Sequence, residues 1–284
     1  MSEIKGKTGL DEIDIHDVIN SLEKLGYDIR RTMFKGEEYF ILNRFADYSN
    51  KQFYRFNNEI ETPVLVTADW HIGSKGFSEQ AFWELVDDVR TFDIKHVLIA
   101  GDLLQGKGVH KLEALDLVDL TIESQIDKAV DYLNSIDVPT HVVIGNHEEK
   151  LKGKVDIGLD VLKVVSSRSN NVHYYGGAFY GKLNEKFSLF MIHGEGGPTY
   201  AMSYPVQKLY RTLIERPNLI VMGHYHILGW GSFDPLHYYV YPGTLQRENT
   251  WLLRKGITST VGWIIVNEFS ETRKELVVRT PEVF

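Results

Sequence analysis

No cysteine occurs anywhere in the 284 residues. Disulfides, thiolate metal sites and a cysteine nucleophile are therefore excluded, and a cytosolic setting is consistent with that. Also missing is any apolar run approaching the ~18 residues that a membrane span requires. The opening Met1-Ser-Glu-Ile-Lys5 has no apolar signal core. The expectation is a cytoplasmic protein without membrane attachment. Excess positive charge is absent as well: 31 Lys and Arg against 39 Asp and Glu leave a net charge of −8. That balance argues against a protein that coats nucleic acid by bulk attraction. It does not exclude a nuclease, because aspartates that hold cations are counted here as bare negative charge. Neither an internal repeat nor a low-complexity segment is found. What is present is 43% hydrophobic residues, enough to bury the core of one large domain with a small appendage.

Residues 1–60 read differently from the rest. Ile15, Val18, Ile19, Leu22 and Leu25 follow helical spacing, with Gly26 as the stop. Tyr27 to Phe34, a Lys35-Gly36-Glu37-Glu38 turn and Tyr39 to Asn43 then predict a hairpin. A helix followed by a hairpin is an accessory module, similar to the second half of a winged helix. Residues 61–284 form the main domain in this reading. Its strands are expected at Val64–Val66, His96–Ala100, Thr140–Ile144, Phe187–Ile192, Leu219–Met222, His237–Tyr241, Gly262–Val266 and Leu276–Arg279. Helical spacing falls at Phe82 to Val89, Leu112 to Ile136, 156–166 and 203–215. Strands alternating with helices, then mostly strands, predict an α/β fold of two packed mixed β-sheets flanked by helices.

Five of the expected strands run into a polar turn, the place where open α/β sheets bind ligands. The turns carry Asp69 and His71; Asp102; Asn146 and His147; His193; and His224 and His226. Asp69 and His71 are two apart, so extended chain would point both to one side. Two carboxylates, an amide oxygen and several imidazoles suit a pair of divalent transition ions better than Mg²⁺ or Ca²⁺, which prefer oxygen shells. Two such ions ~3.5–4 Å apart can share a carboxylate and a hydroxide. A histidine beside them can serve as acid and as phosphate partner near neutral pH. Any one turn alone reads equally well as a capped loop; five in succession do not.

In their order, Asp69-Trp70-His71, Gly101-Asp102, Gly145-Asn146-His147-Glu148, His193 and Gly223-His224-Tyr225-His226 resemble the signature blocks of the calcineurin-like metallophosphoesterases. The resemblance extends from about Val64 to Val266. It implies a metallophosphoesterase sandwich with one ion held by Asp69, His71, Asp102 and His226. The other would be held by Asp102, Asn146, His193 and His224, with Asp102 bridging. It implies attack by a metal-bridging hydroxide. His147 would then protonate the leaving oxygen or hold the phosphate. The implied cofactors are two divalent transition ions, manganese first, with iron, zinc or nickel as alternatives.

In the serine/threonine protein phosphatases of this family the second block runs Gly-Asp-x-x-Asp-Arg-Gly. Here Gln105 stands at the aspartate that orients the catalytic histidine, and Lys107 is no bidentate arginine fork. A protein phosphatase is therefore not expected, and the orienting partner of His147 is left open, with Glu148 its neighbour in sequence. Asp69-Trp70-His71-Ile72-Gly73 and Tyr241-Pro242-Gly243-Thr244-Leu245-Gln246-Arg247 resemble blocks of the SbcD-like repair nucleases. The second region is also similar to the proofreading subunit of archaeal D-family DNA polymerases. These likenesses imply a DNA exo- or endonuclease with DNA as its partner, in repair. Lys107, His110, Tyr225 and Arg247 are candidate substrate contacts, with Lys150, Lys152, Lys154, Tyr200 and Tyr204 behind them. A homodimer and an ATPase partner are left open; the repair nucleases bind that partner through a tail, whereas this chain stops at Phe284. One rival reading is a small-substrate nucleotide phosphodiesterase or phosphomonoesterase. The other is a non-catalytic scaffold, against which intact ligand residues at every block argue.

Overall fold

The computed structural model describes residues 29–34, 37–42, 59–107, 116–154, 160–197, 201–213, 215–248 and 250–282. The chain divides into two compact units, Met1–Tyr54 and Arg55–Phe284. In the smaller, β1 (Ile29–Phe34) and β2 (Glu37–Leu42) pair antiparallel, with Ile29 opposite Leu42 and Phe34 opposite Glu37. The helix expected from Ile15 to Leu25 lies outside the described residues.

The larger unit begins with β3 (Glu59–Ile60), β4 (Val64–Thr67), α1 (Glu79–Thr91), β5 (His96–Ile99), α2 (Ile122–Asn134), β6 (Thr140–Val142), α3 (Asn146–Lys154) and α4 (Val161–Arg168). It continues with β7 (Val172–Tyr174), β8 (Ala178–Leu183), β9 (Phe187–Ile192), α5 (Tyr204–Thr212), β10 (Leu219–Met222), β11 (Leu228–Asp234), β12 (His237–Pro242), α6 (Thr250–Lys255), β13 (Trp263–Phe269) and β14 (Lys274–Arg279). Two six-stranded mixed sheets result, ordered β11-β12-β10-β9-β8-β3 and β14-β13-β4-β5-β6-β7. In the second sheet β4 to β7 run parallel, and β13 and β14 close one side antiparallel.

Side-chain alternation explains the layers. Leu65, Val97, Ile99, Val142 and Ile265 face a core shared with Phe82 and Leu85 of α1, Ile126, Ala129 and Leu133 of α2, and Leu162 and Val165 of α4. Their chain neighbours Val64, Val66, Leu98, Ile264 and Val266 face the other way. They meet Phe179, Leu183, Leu189, Met191, Leu219, Val221 and Val240 of the first sheet. A strand buried on both faces reads as a continuous apolar run, as these do. Each such aliphatic side chain taken out of water contributes about 1.5–3 kcal/mol. The outer face of the first sheet carries α5, where Tyr210 stacks on Phe233 at 4.0 Å and the Val206 N–H donates to the Tyr241 hydroxyl at 3.3 Å.

Polar ties fix the helices to this frame. Ser78 caps α1 by accepting from the Ala81 N–H at 3.3 Å. Asp88, on the buried side of α1, accepts from Trp263 Nε1 at 2.9 Å and from Arg279 at 2.7 and 3.0 Å, joining β13 and β14 to the helix. Among the described residues no helix is long and apolar enough to cross a membrane.

Several elements differ from the sequence expectation, α6 and β3 among them, which were not expected. Of the helix expected from Leu112, residues 116–121 are not helical and α2 begins at Ile122, where Thr121 caps it by accepting from the Ser124 N–H at 3.2 Å; residues 112–115 lie outside the described residues. Val118, which mimics helical spacing, instead pairs with Gly73, and its neighbour Leu117 with Ser74. Strand β11, with its Leu-Gly-Trp-Gly start, was not expected. It pairs with β12 because the ring of Tyr239 lies over Gly231, where a Cβ would sit 2.6 Å from Tyr239 Cζ. Residues from Asn146 onward form α3 rather than a plain turn.

Candidate metal centre

The five polar turns meet at the carboxyl ends of β4, β5, β6, β9 and β10. The first two turns run side by side: the Asp69 N–H donates to the Gly101 carbonyl at 3.0 Å, and the His71 N–H to the Asp102 carbonyl at 3.0 Å. The backbone here is not extended. Asp69, His71, Asp102, His224 and His226 all have left-handed φ, between 51° and 79°. Such a conformation costs a non-glycine residue about 1–3 kcal/mol, and it clusters at functional sites. Asp69 and His71 thus face one point by a sharp local turn, not by strand alternation. Close approach also requires glycine. At Gly101 (φ +83°) a Cβ would lie 2.6 Å from His193 Nδ1, and at Gly145 a Cβ would collide with the Asp102 carboxylate and amide.

Two overlapping clusters form. In the first, His71 Nε2 lies 3.1 Å from His226 Nε2, and Asp69 Oδ1 lies 3.6 Å from His226 Nε2 and 3.9 Å from His71 Nε2. In the second, His193 Nε2 lies 3.1 Å from Asn146 Oδ1, 3.2 Å from His224 Nδ1 and 3.2 Å from Asp102 Oδ2. Asp102 Oδ2 also stands 3.9 Å from His71 Nε2 and 3.9 Å from His147 Nε2. All seven residues expected as ligands are therefore in one place, and Asp102 lies between the two groups.

The hydrogen bonds of the opposite ring atoms show what this donor set fits. His193 Nδ1 faces the Ala100 carbonyl at 2.7 Å, and His224 Nε2 faces the Gly196 carbonyl at 2.7 Å. Carbonyls only accept, so these nitrogens carry the ring protons. The lone pairs of His193 Nε2 and His224 Nδ1 are left to converge with two oxygen acceptors, Asn146 Oδ1 and Asp102 Oδ2. Four acceptors aimed at one another repel unless a cation stands between them, and His/Asp clusters of this kind can bind metal. Acid–base directions agree. Burial pushes the Asp69 carboxyl well above its ordinary range and the His226 imidazole down to about 3. Burial would also lower His193, but the Asp102 carboxylate beside it overrides this and pushes it up to about 10. A proton on His193 thus stands where a metal would, and metal binding releases such protons.

His147 is held from two sides. Its N–H donates to Asp102 Oδ1 at 2.9 Å, and its Nδ1 meets the Gln105 carbonyl at 2.6 Å. The orienting group left open by the sequence is thus a main-chain carbonyl, not Glu148. Glu148 turns inward and braces the second and third turns. Its two carboxylate oxygens accept from the Leu104 N–H at 2.8 Å and the Gly145 N–H at 2.9 Å. Burial, then the nearby Asp102 charge, pushes its carboxyl up to about 7. Sequence reasoning also missed Thr244, whose hydroxyl donates to the Asp69 carbonyl at 2.5 Å, and Gln246, bonded to Ser74 and Gln105. The only signal for them was their place in the Tyr241–Arg247 block.

The expected substrate contacts fall unevenly. Tyr225 is half-buried, its hydroxyl donating to the Glu195 carbonyl at 2.6 Å and its ring edge-on to His224 at 5.0 Å. Lys107 and Arg247 are exposed, and Arg247 reaches Gln80 of α1 at 3.4 Å. Tyr204 is exposed and Lys150 half-buried. His110, Tyr200 and the side chains of Lys152 and Lys154 lie outside the described residues.

A five-turn His/Asp/Asn centre at the strand ends of a two-sheet sandwich defines a metallophosphoesterase, and this chain belongs to that family: the calcineurin-like phosphoesterase model matches residues 62–258. Among individual proteins it is similar to the DNA polymerase II small subunit of Methanocaldococcus jannaschii, 24% identical over 72% of this chain and 42% of that one. The DNA polymerase II small subunit of Methanothermobacter thermautotrophicus is 24% identical over 73% of this chain and 52% of the relative. The chain spans about half the length of these relatives. Among solved structures, the phosphoesterase Yfce of E. coli aligns with 77% of this chain and 99% of its own, at 14% identity and a TM-score of 0.43.

Proposed function

We propose that this protein is a dinuclear metal-dependent phosphodiesterase that cleaves DNA. The carrying observation is the convergence of seven ligand-type residues on one point, with His147 beside them. Asp69, His71, Asp102 and His226 would hold one divalent ion, and Asp102, Asn146, His193 and His224 the other. Manganese is the proposed metal, since imidazole mixed with carboxylate suits a borderline transition ion. When bound, the pair supplies Lewis acidity toward water and toward a phosphoryl oxygen. The chain supplies the rest. The Ala100 and Gly196 carbonyls hold the ring protons of His193 and His224 away from the centre. The Gln105 carbonyl accepts a hydrogen bond from His147 Nδ1–H, which leaves Nε2 facing the centre; in the imidazolium form Nε2 would carry the proton that passes to the leaving oxygen.

The DNA substrate is supported by two observations: the relatives bear a DNA polymerase name, and the Tyr241–Arg247 block resembles that of DNA nucleases. A larger subunit as partner and a cytoplasmic setting are proposed from the same relatives, which are named small subunits. The deciding experiment is a substrate panel with Mn²⁺: single- and double-stranded DNA, cyclic nucleotides, bis-p-nitrophenyl phosphate and p-nitrophenyl phosphate, each with and without excess EDTA. DNA and the diester should be cleaved and EDTA should abolish cleavage. Preference for cyclic nucleotides or the monoester would establish the small-substrate reading. Full activity in EDTA after dialysis would refute metal dependence.

A further inference from the structure

Behind His147 lies a buried amide link that the proposed ligand set does not use. Gln246 is only 2% exposed. Its Nε2 donates to Ser74 Oγ at 2.8 Å and to Gln105 Oε1 at 3.2 Å, which uses both amide protons. Gln105 is the residue whose carbonyl meets His147 Nδ1. Gln246 is itself anchored: its N–H donates to Thr244 Oγ1 at 2.9 Å, and Thr244 Oγ1 donates to the Asp69 carbonyl. The flanking main chain is fixed too, with the Ser78 N–H on the Leu245 carbonyl at 2.8 Å and the Arg247 N–H on the Gly76 carbonyl at 2.7 Å. Residues 244–247 therefore lie against 74–78 and reach across the first polar turn to the second. Space is tight here: a Cβ on Gly76 would lie 2.9 Å from Gln246 Cγ.

An apolar side chain of similar volume would fill this site without the cost of burying an amide. A buried polar link that is fully bonded gives direction where an apolar one would not. We propose that Gln246 is a positioning residue for His147. It holds the Gln105 side chain so that the Gln105 carbonyl stays on Nδ1 and Nε2 stays directed at the Asp102 side of the centre. The proposal rests on the reading of His147 as proton donor.

The test compares the wild type, Gln246→Met, His147→Asn and the double variant, each loaded with Mn²⁺. Substrates are a thymidine dinucleotide, whose alkoxide leaving group needs a proton, and bis-p-nitrophenyl phosphate, whose leaving group does not. Gln246→Met should lower kcat on the dinucleotide by about tenfold, as a misplaced catalytic group does. On the nitrophenyl diester it should lose less than about twofold. In the double variant it should add nothing to His147→Asn. The metal-free proteins give a second readout: the ¹⁵N ring signals of His147 should show the Nδ1–H tautomer in the wild type and a tautomer mixture in Gln246→Met. Equal losses on both substrates with unchanged ring signals would overturn the proposal, as would a full additional loss in the double variant. If His147→Asn itself loses equally on both substrates, the proton-donor reading has failed. The ring signals then decide Gln246 alone: a mixture upholds its positioning role and unchanged signals overturn it. Should Gln246→Met not fold, Gln246→Leu also offers no donor to Gln105 Oε1 and is read the same way.

Discussion

Replacing Asp102 by Asn removes one charge and almost no volume. Asn keeps an acceptor for the His147 N–H, now 2.9 Å from Asp102 Oδ1. What disappears is the negative charge that His193 Nε2 meets at 3.2 Å and that His71 Nε2 meets at 3.9 Å. At an effective dielectric constant of about 20, a unit pair at the shorter distance interacts by roughly 5 kcal/mol. Acid–base behaviour points the same way. Burial alone would lower His193, and the Asp102 carboxylate is the first of the groups that push it up, to about 10. In the metal-free Asp102→Asn protein, His193 should therefore titrate below neutrality. If Asp102 touches both ions, as proposed, both should be weakened, by at least about 100-fold if each loses even ~3 kcal/mol. The measurements are an NMR titration of the histidine rings without metal and metal content after gel filtration. Two tightly held ions in the variant would refute the bridging assignment. A His193 that stays protonated above pH 9 would refute the electrostatic argument beneath it.

Gly145→Ala places a methyl against the Asp102 carboxylate and amide, so the variant should lose about 1–3 kcal/mol of stability, read by urea denaturation, together with metal affinity. Wild-type metal binding in this variant would show that the turns can separate freely. Burial, then His96 and His173, lowers His141 to about 3; Tyr175 is bonded to its Nδ1 at 3.0 Å. The unfolded chain therefore takes up a proton that the folded chain refuses, and the neutral ring's contribution is complete above pH ~6.5 and lost as pH falls toward 3. Between pH 7 and 5 the wild type should lose up to about 2 kcal/mol more than His141→Gln in paired denaturation curves; identical pH dependence would remove His141 from the account. A truncation should begin at Arg55 and not after Ile60, since Ile60 is fully buried and pairs with Leu183 of β8. Starting at residue 55, the protein should fold and hydrolyse a small diester. A folded, metal-loaded truncation without diesterase activity would mean that residues 1–54 take part in the chemistry.

Much of the architecture was legible because its signals are local. The apolar runs at Val64, His96, Phe187 and Leu219 each announced a strand buried on both faces, and two packed mixed sheets with flanking helices followed from their order. Where local signals conflict, the reading failed. Val118 kept helical spacing while pairing with the first polar turn, and β11, with Gly229 and Gly231 in it, carried no strand signal.

The sequence by itself determined which side chains stand at the strand ends, since strand length and the following turn are set by neighbouring residues. It therefore named Asp69, His71, Asp102, Asn146, His147, His193, His224 and His226. Only the tertiary structure decided how they meet. Left-handed backbone, not strand alternation, aims Asp69 and His71. His147 finds its acceptor 42 residues away, and Gln105 finds Gln246 across 141 residues. A hydrogen bond joins whatever the folded chain brings within ~3 Å. Residues that act through such bonds leave no periodicity or spacing to read, and they become visible only once the sheets are packed.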